Sequence, residues 1–327
     1  MTSSPTYAIE AKGLVKRFGD KTALHGVDFA VPAGTVTAVL GPNGAGKTTA
    51  VRILTTLSSA DAGTAKVAGF DVASQGTQVR RRIGLTAQEA TVDGLLTGRE
   101  NLQMLGELHH LGKAEASKRA DQLLEDFSLS DSGDRLARDY SGGMRRRLDL
   151  AATIVARPEV LFLDEPTTGL DPRARAELWD VLDQLVGRGT TLMLTTQYLE
   201  EAERLADDIV VIDHGRVIAQ GDSRELKRRV GGDQLQVVVR EAAQLEHAAK
   251  ILGRGANAEV QVDEGSRSAT VPTRSGVAAL AAVSVALADA GIEVDDLGMR
   301  QPTLDEVFLT LTGSPVENAE ELQEATR

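Results

Sequence analysis

The apolar positions of this chain follow two rhythms. Val36-Thr37-Ala38-Val39-Leu40, Val160-Leu161-Phe162-Leu163-Asp164 and Thr190-Thr191-Leu192-Met193-Leu194-Thr195 are nearly unbroken apolar runs, the pattern of strands covered on both faces of a parallel sheet. Tyr7-Ala8-Ile9-Glu10-Ala11 and Val27-Asp28-Phe29-Ala30-Val31 are shorter β-rich runs between turns. From 97 to about 156 the period becomes helical, with Leu102, Leu105 and Leu108, then Leu123, Leu124 and Phe127. The α/β alternation then resumes. Helices are predicted over 173–187 and 199–205, and a strand pair over 209–212 and 216–219. This spells an α/β frame with a mixed core sheet and a helical insertion at about 89–158. Ligands of such sheets bind beyond the strand C-termini, where Gly41, Asp164 and Thr196 converge.

After Gly231-Gly232 a smaller pattern begins. Strands at 235–240, near 259–262, at 269–271 and at 292–294 alternate with helices at 242–252 and 276–290. That βαββαβ order predicts a small α+β, ferredoxin-like domain over 231–313, following a first domain over 1–230. A last helix at 303–309 carries an apolar stripe, and the acidic stretch 314–327 reads as disordered.

Composition narrows the chemistry. A chain of 327 residues has room for two domains. It contains no cysteine, which excludes disulfides, thiol catalysis and thiolate metal sites. The five histidines show no metal-ligand spacing. No signal peptide is read, and the longest apolar stretch, 277–290, is too short to span a bilayer, so a soluble intracellular chain is expected. The net charge is −12, and residues 231–327 carry 16 acidic against 7 basic residues. An acidic chain is a poor partner for nucleic acid. The basic runs Arg80-Arg81-Arg82, Arg145-Arg146-Arg147 and Lys227-Arg228-Arg229 lie in helical sequence without interleaved aromatics, and read as solvated helix faces.

The strongest chemical signal is Gly41-Pro42-Asn43-Gly44-Ala45-Gly46-Lys47-Thr48-Thr49, between a strand and a helix start. Its glycines let successive N–H groups point inward at a helix N-terminus, which makes a phosphate cradle. Lys47 supplies charge for the outer phosphates, and the Thr48 hydroxyl is placed for a magnesium ion. Leu161-Phe162-Leu163-Asp164-Glu165-Pro166 puts one carboxylate, Asp164, at a strand tip to hold that Mg2+, and a second, Glu165, beside it to polarise a water.

Tyr140-Ser141-Gly142-Gly143-Met144 resembles the LSGGQ signature of the ABC ATPases. The resemblance implies that Ser141, Gly142 and Gly143 of one subunit close over ATP held by the P-loop of another, in a homodimer. Tyr140 and Met144 depart from the commonest Leu and Gln but leave Ser-Gly-Gly intact. In the same family Phe18 corresponds to the aromatic that stacks on adenine. Gln88 corresponds to the loop glutamine that reaches Mg2+ and senses the membrane partner, and Asp171 of Gly169-Leu170-Asp171-Pro172 to the loop that crosses the dimer interface. At Gln197 most members carry histidine; glutamine still donates an N–H but carries no charge, so Glu165 remains the catalytic base.

More narrowly, Tyr-Ser-Gly-Gly-Met-Arg-Arg-Arg-Leu-Asp, Thr-Thr-Gln-Tyr-Leu and Leu304-Asp305-Glu306-Val307-Phe308-Leu309-Thr310-Leu311-Thr312-Gly313 resemble the daunorubicin/doxorubicin-resistance ATP-binding subfamily. That resemblance implies the ATPase half of an exporter at the cytoplasmic membrane face, paired with a separate multi-span permease of ABC-2 type and moving drugs or other hydrophobic compounds. Export of lipid, polysaccharide or ions by the same machine is an alternative. A soluble ABC ATPase acting on ribosomes or DNA is another, which the single cassette and acidic balance disfavour.

Overall fold

Strands β1 (Tyr7–Phe18) and β2 (Lys21–Pro32) form a long antiparallel hairpin, and β3 (Val36–Leu40), buried at every residue, follows. Helix α1 (Lys47–Leu54) leads to β4 (Ala62–Val67), β5 (Phe70–Asp71), α2 (Gly76–Arg80) and β6 (Ile83–Thr86). Helices α3 (Gly98–Leu108), α4 (Lys113–Asp126) and α5 (Gly142–Thr153) form the insertion. Then come β7 (Val160–Asp164), α6 (Pro172–Gly187), β8 (Thr191–Thr196), α7 (Leu199–Leu205), β9 (Asp208–Asp213) and β10 (Arg216–Gly221). The computed structural model describes residues 7–86, 92–230, 233–256, 260–273 and 276–312. The tail expected to be disordered, 314–327, lies outside them.

The six-stranded sheet has the order β10-β9-β3-β8-β7-β6, with β9, β3, β8, β7 and β6 parallel. A second, antiparallel sheet has the order β2-β1-β4-β5. Between them lies an aliphatic core: Val39, Phe162, Met193 and Val210 from the parallel sheet, Ile53 and Leu54 from α1, and Ile9, Leu14 and Val27 from the hairpin. The turn from β9 to β10 has His214 at φ 43° and Gly215 at φ 71°, the left-handed pair that a two-residue hairpin turn requires. In register, Leu40 pairs with Thr196, and Asp164 with Thr195. The central strands therefore end level, and the segments beginning at Gly41, Glu165 and Gln197 leave one edge together.

The insertion is fixed by caps and one buried tyrosine. Thr97 and Glu100 close a reciprocal capping box on α3. The buried Asn101 amide donates to the Asp93 and Thr97 carbonyls at 2.9 Å and accepts from the Asp93 N–H at 2.8 Å. Tyr140, immediately before α5, is buried, and its hydroxyl donates to the Ser132 carbonyl at 2.7 Å. Burial pushes that phenol above its ordinary pKa. A Cβ on Gly98 would stand 2.2 Å from the Tyr140 hydroxyl oxygen, so the glycine makes room for the tyrosine.

The chain divides between Gln220 and Gly221. Helix α8 (Ser223–Val230) opens the second unit, ten residues before the boundary read from the glycine pair, because α8 packs with α11 (Leu304–Thr312). Between them run β11 (Gln234–Val239), α9 (Leu245–Ala256), β12 (Gln261–Asp263), β13 (Ser268–Pro272), α10 (Gly276–Asp289) and β14 (Val294–Arg300). Their sheet is antiparallel in the order β12-β13-β11-β14. Leu235, Val237 and Val239 alternate onto one face against Leu252 of α9 and Val283 and Leu287 of α10. The last strand, expected at 292–294, instead begins at Val294 and runs to Arg300. Its start is polar because Asp295 accepts from Arg240 and Arg267, which hides it from a hydrophobicity pattern. Among the described residues no helix is long and apolar enough to cross a membrane.

The Gly98–Tyr140 contact is testable in denaturant. Gly98→Ala should destabilise the chain by about 1–3 kcal/mol. Tyr140→Phe, which removes the oxygen in the way, should recover part of that loss in the double variant, so the two costs should not add.

Candidate functional site

The loop between β3 and α1 is shaped by close approach and by handedness. A Cβ on Gly41 would lie 2.2 Å from the Ile212 carbonyl oxygen of β9, so only glycine fits against that strand. Gly46, at φ 110°, is the N-cap of α1 and leaves its first N–H groups without a side-chain cap, as an anion site needs. Lys47 is 4% exposed, and its ammonium donates to the carbonyls of Gly41 at 2.7 Å and Pro42 at 3.2 Å. Burial of that charge is tolerable because the loop's own carbonyls surround it.

Asn43, Gly44, Ala45, Gly46, Lys47, Thr48 and Thr49 line a cleft of about 320 Å³ together with Phe18, Lys21, Ala23 and Glu165. Phe18 stands at the tip of the β1–β2 hairpin, 56% exposed, with the Lys16 ammonium 5.5 Å from its ring centre. An exposed aromatic at the rim of a phosphate cleft offers a flat apolar face.

Asp164 ends β7 and is 6% exposed. The Thr48 hydroxyl reaches its Oδ1 at 3.4 Å, and the Thr195 hydroxyl donates to the same oxygen. The next residue, Glu165, has φ 48°, a left-handed conformation that side chains other than glycine seldom adopt. Its N–H donates to the Thr195 carbonyl at 3.0 Å and to the Thr195 hydroxyl at 3.2 Å. One threonine thus grips both acidic residues and holds the strained one in place. The Glu165 carboxylate faces the cleft and accepts from Thr168 at 3.4 Å.

Arg146 braces the same segment from behind. Its guanidinium donates to the carbonyls of Pro166 at 2.8 Å, Glu165 at 3.3 Å and Asp164 at 3.5 Å. Desolvation lowers its pKa, while Asp149, Glu201 and Asp164 act in the opposite sense. The arginine run has the sequence pattern of a solvated face; Arg146 instead folds inward, because three backbone carbonyls at a strand end need a donor.

Ser141 caps α5, accepting from the Met144 N–H at 3.3 Å, and Asp171 caps α6, accepting from the Ala174 N–H at 2.8 Å, with Pro172 behind it. Ser141, Gly142 and Asp171 are exposed. Neither they nor Gly143 line the P-loop cleft. A separate hollow of about 500 Å³ runs from Gly142 and Arg145 to Gly169 and Leu170, and Glu165 lines both. Gln197 follows directly on Thr196 at the end of β8, half-buried. Gln88 lies outside the described residues.

A family model described as ABC transporter matches residues 24–168. The daunorubicin resistance ATP-binding protein DrrA2 of Streptomyces coeruleorubidus is 55% identical over 314 residues, spanning 96% of this chain and 98% of its own length. The daunorubicin/doxorubicin resistance ATP-binding protein DrrA of Streptomyces peucetius is 50% identical over 321 residues, spanning 97% of this chain and 96% of that one. Among solved structures, an ATP-binding subunit of an ABC transporter superposes with a TM-score of 0.62 at 28% identity, over 68% of this chain and 93% of its own. A mixed sheet with a phosphate loop at its carboxyl edge is thus the ABC ATPase fold. The chain belongs to the ATP-binding subunits of the ABC transporters, on the branch of the daunorubicin/doxorubicin resistance proteins, and ATP is its substrate.

Proposed function

We propose that this chain powers export of a drug, antibiotic or other hydrophobic compound through a separately encoded multi-span permease of ABC-2 type, from the cytoplasmic face of the membrane. The observation that carries the enzymatic part is the meeting of Lys47, Thr48, Asp164 and Glu165 at one sheet edge, with Thr48 and Asp164 oxygens 3.4 Å apart. The names of the relatives support the cargo class.

In this reading the N–H groups of the P-loop and the Lys47 ammonium bind the β- and γ-phosphates, and Phe18 stacks on adenine. Lys47 already faces two carbonyls, so it is held extended toward the phosphates before ATP arrives. Among the described residues no group of three or more histidine or acidic side chains could hold a metal by itself. Mg2+ usually takes only one or two protein oxygens and completes its shell with phosphate and water. Thr48 and Asp164 fit that need, with Gln88 as the third candidate. The ion would neutralise charge on the transferring phosphoryl group. Glu165, fixed by Thr195 and Arg146, accepts the proton of the attacking water, and Gln197 donates its amide N–H toward the γ-phosphate.

Ser141, Gly142 and Asp171 are exposed, and Gly143 half-buried, at helix N-termini that do not line this chain's own cleft. That supports a head-to-tail homodimer in which they close the ATP site of the other copy. The second unit we read as ferredoxin-like, from its βαββαβ order and 2-3-1-4 strand arrangement, with a role in the dimer or its regulation.

Three measurements test this. Glu165→Gln should lower kcat by about 10²–10⁴-fold and trap an ATP-bound dimer visible by light scattering; equal turnover by variant and wild type removes Glu165 as the base. Gln197→Ala should lower kcat by about 10²-fold while KM for ATP changes little. Tagged Glu165→Gln chain, incubated with ATP in detergent-solubilised native membranes, should retain one multi-span membrane protein. Recovery of ribosomal or DNA-bound proteins instead overturns the exporter reading.

A further inference from the structure

Glu201, on α7, is 0% exposed. The Trp179 indole N–H of α6 donates to its Oε1 at 3.3 Å. The hydroxyl of Thr167, on the loop after Glu165, also bonds this fully enclosed carboxyl. The hydroxyl of Thr196, the residue before Gln197, faces the same carboxyl. Two cations act on it: Arg146 from α5 and Arg175 from α6. Both are engaged elsewhere. Arg146 holds the carbonyls of Asp164, Glu165 and Pro166. Arg175 meets Glu200 at 3.4 Å and lies 5.0 Å over the Tyr198 ring. Burial outweighs the hydrogen bonds from Thr196, Trp179 and Thr167 as well as the cations, and raises the pKa of the Glu201 carboxyl.

We propose that Glu201 is a positioning residue for Gln197. Fully enclosed, its carboxyl ties the start of α7 to Trp179 of α6 and to Thr167 of the loop after Glu165, and so fixes the segment from Thr196 to Tyr198 that carries Gln197. The Trp179 indole and the Thr167 and Thr196 hydroxyls converge on this one enclosed carboxyl, which so joins α6, the loop after Glu165 and the end of β8. The cation over the Tyr198 ring secures the same segment one residue further on. Helix α6 is capped by Asp171. A push on that loop at dimer closure would therefore reach Gln197 through Trp179 and Glu201. The inference rests on the ATPase reading of the site.

The test uses the purified full chain and follows steady-state ATP hydrolysis over the whole pH range in which the chain stays folded. Glu201→Gln keeps a neutral, hydrogen-bonding group and should hold kcat and KM within about twofold of wild type. Glu201→Ala should lower kcat by about tenfold to a hundredfold with KM for ATP within about twofold. Trp179 is the only tryptophan of the chain, so its emission reports the bond directly; it should shift to the red in Glu201→Ala and not in Glu201→Gln.

The pH dependence has a definite sign. The folded-state pKa is raised, so the carboxyl's stabilisation is complete below the ordinary carboxylate pKa and is lost as pH rises through the folded value. Wild-type kcat and stability should fall on that limb, and Glu201→Gln should lack the fall. Equal kcat for Glu201→Ala and wild type overturns the proposal, as does a Glu201→Gln variant as impaired as Glu201→Ala. Where Glu201→Ala does not fold, Trp179→Phe, which keeps a ring but no N–H, serves instead: a lower kcat at unchanged KM supports the role, and unchanged kcat overturns it. A wild type without ATPase activity overturns the enzymatic reading itself, whereas an active wild type with an indifferent Glu201→Ala overturns only the role of Glu201.

Discussion

Removing charge from water at one edge of a sheet is the constraint on which this site depends. Lys47 and Asp164 are both almost fully buried, and an ionised group in such surroundings is tolerated only when polar partners replace its hydration. The glycines of the P-loop let two carbonyls turn toward the ammonium, while Thr48 and Thr195 present hydroxyls to the carboxylate. Those demands explain why the parallel strands end level and why the sequence at their ends is so restricted. A shift of one strand by a single residue would leave a buried charge without partners. Fold and chemistry are in this sense one requirement.

Strain is placed beside that buried charge. Glu165 has a backbone conformation that costs of order 1–3 kcal/mol in a residue with a Cβ, and Thr195 and Arg146 hold it there. The carboxylate is thereby turned off the strand axis and into the cleft. Relaxed, extended backbone would send it to the other side of the pleat.

Much of this was legible in the sequence because it is local. The apolar runs ending at Leu40, Asp164 and Thr195 identify the central strands, and their order brings Gly41, Asp164 and Thr196 to one edge. Arg146 and Glu201 were not legible. Each stands in a run of like charge, Arg145-Arg146-Arg147 and Glu200-Glu201-Ala202-Glu203, that has the composition of a solvated helix face. What distinguishes the inward member is a long-range partner: three carbonyls for Arg146, an indole for Glu201. Only the periodicity of α7, where Glu201 falls among the buried Leu199, Ala202 and Leu205, carried a hint. The strand β14 was hidden for the opposite reason, since Asp295 near its start is matched by Arg240, just after β11, and Arg267, just before β13.

Arg146 belongs to the helix that begins at the signature residues, yet its guanidinium holds the backbone of Asp164 and Glu165. In a head-to-tail pair, a chain's signature serves one nucleotide and its acidic segment serves the other. The two nucleotides of such a pair are then linked through the interior of each subunit as well as across the boundary between subunits. Loss of phosphate from one would be felt at its twin through a single rigid side chain. In the head-to-tail pair proposed above, the two sites would then be coupled within each chain as well as between chains.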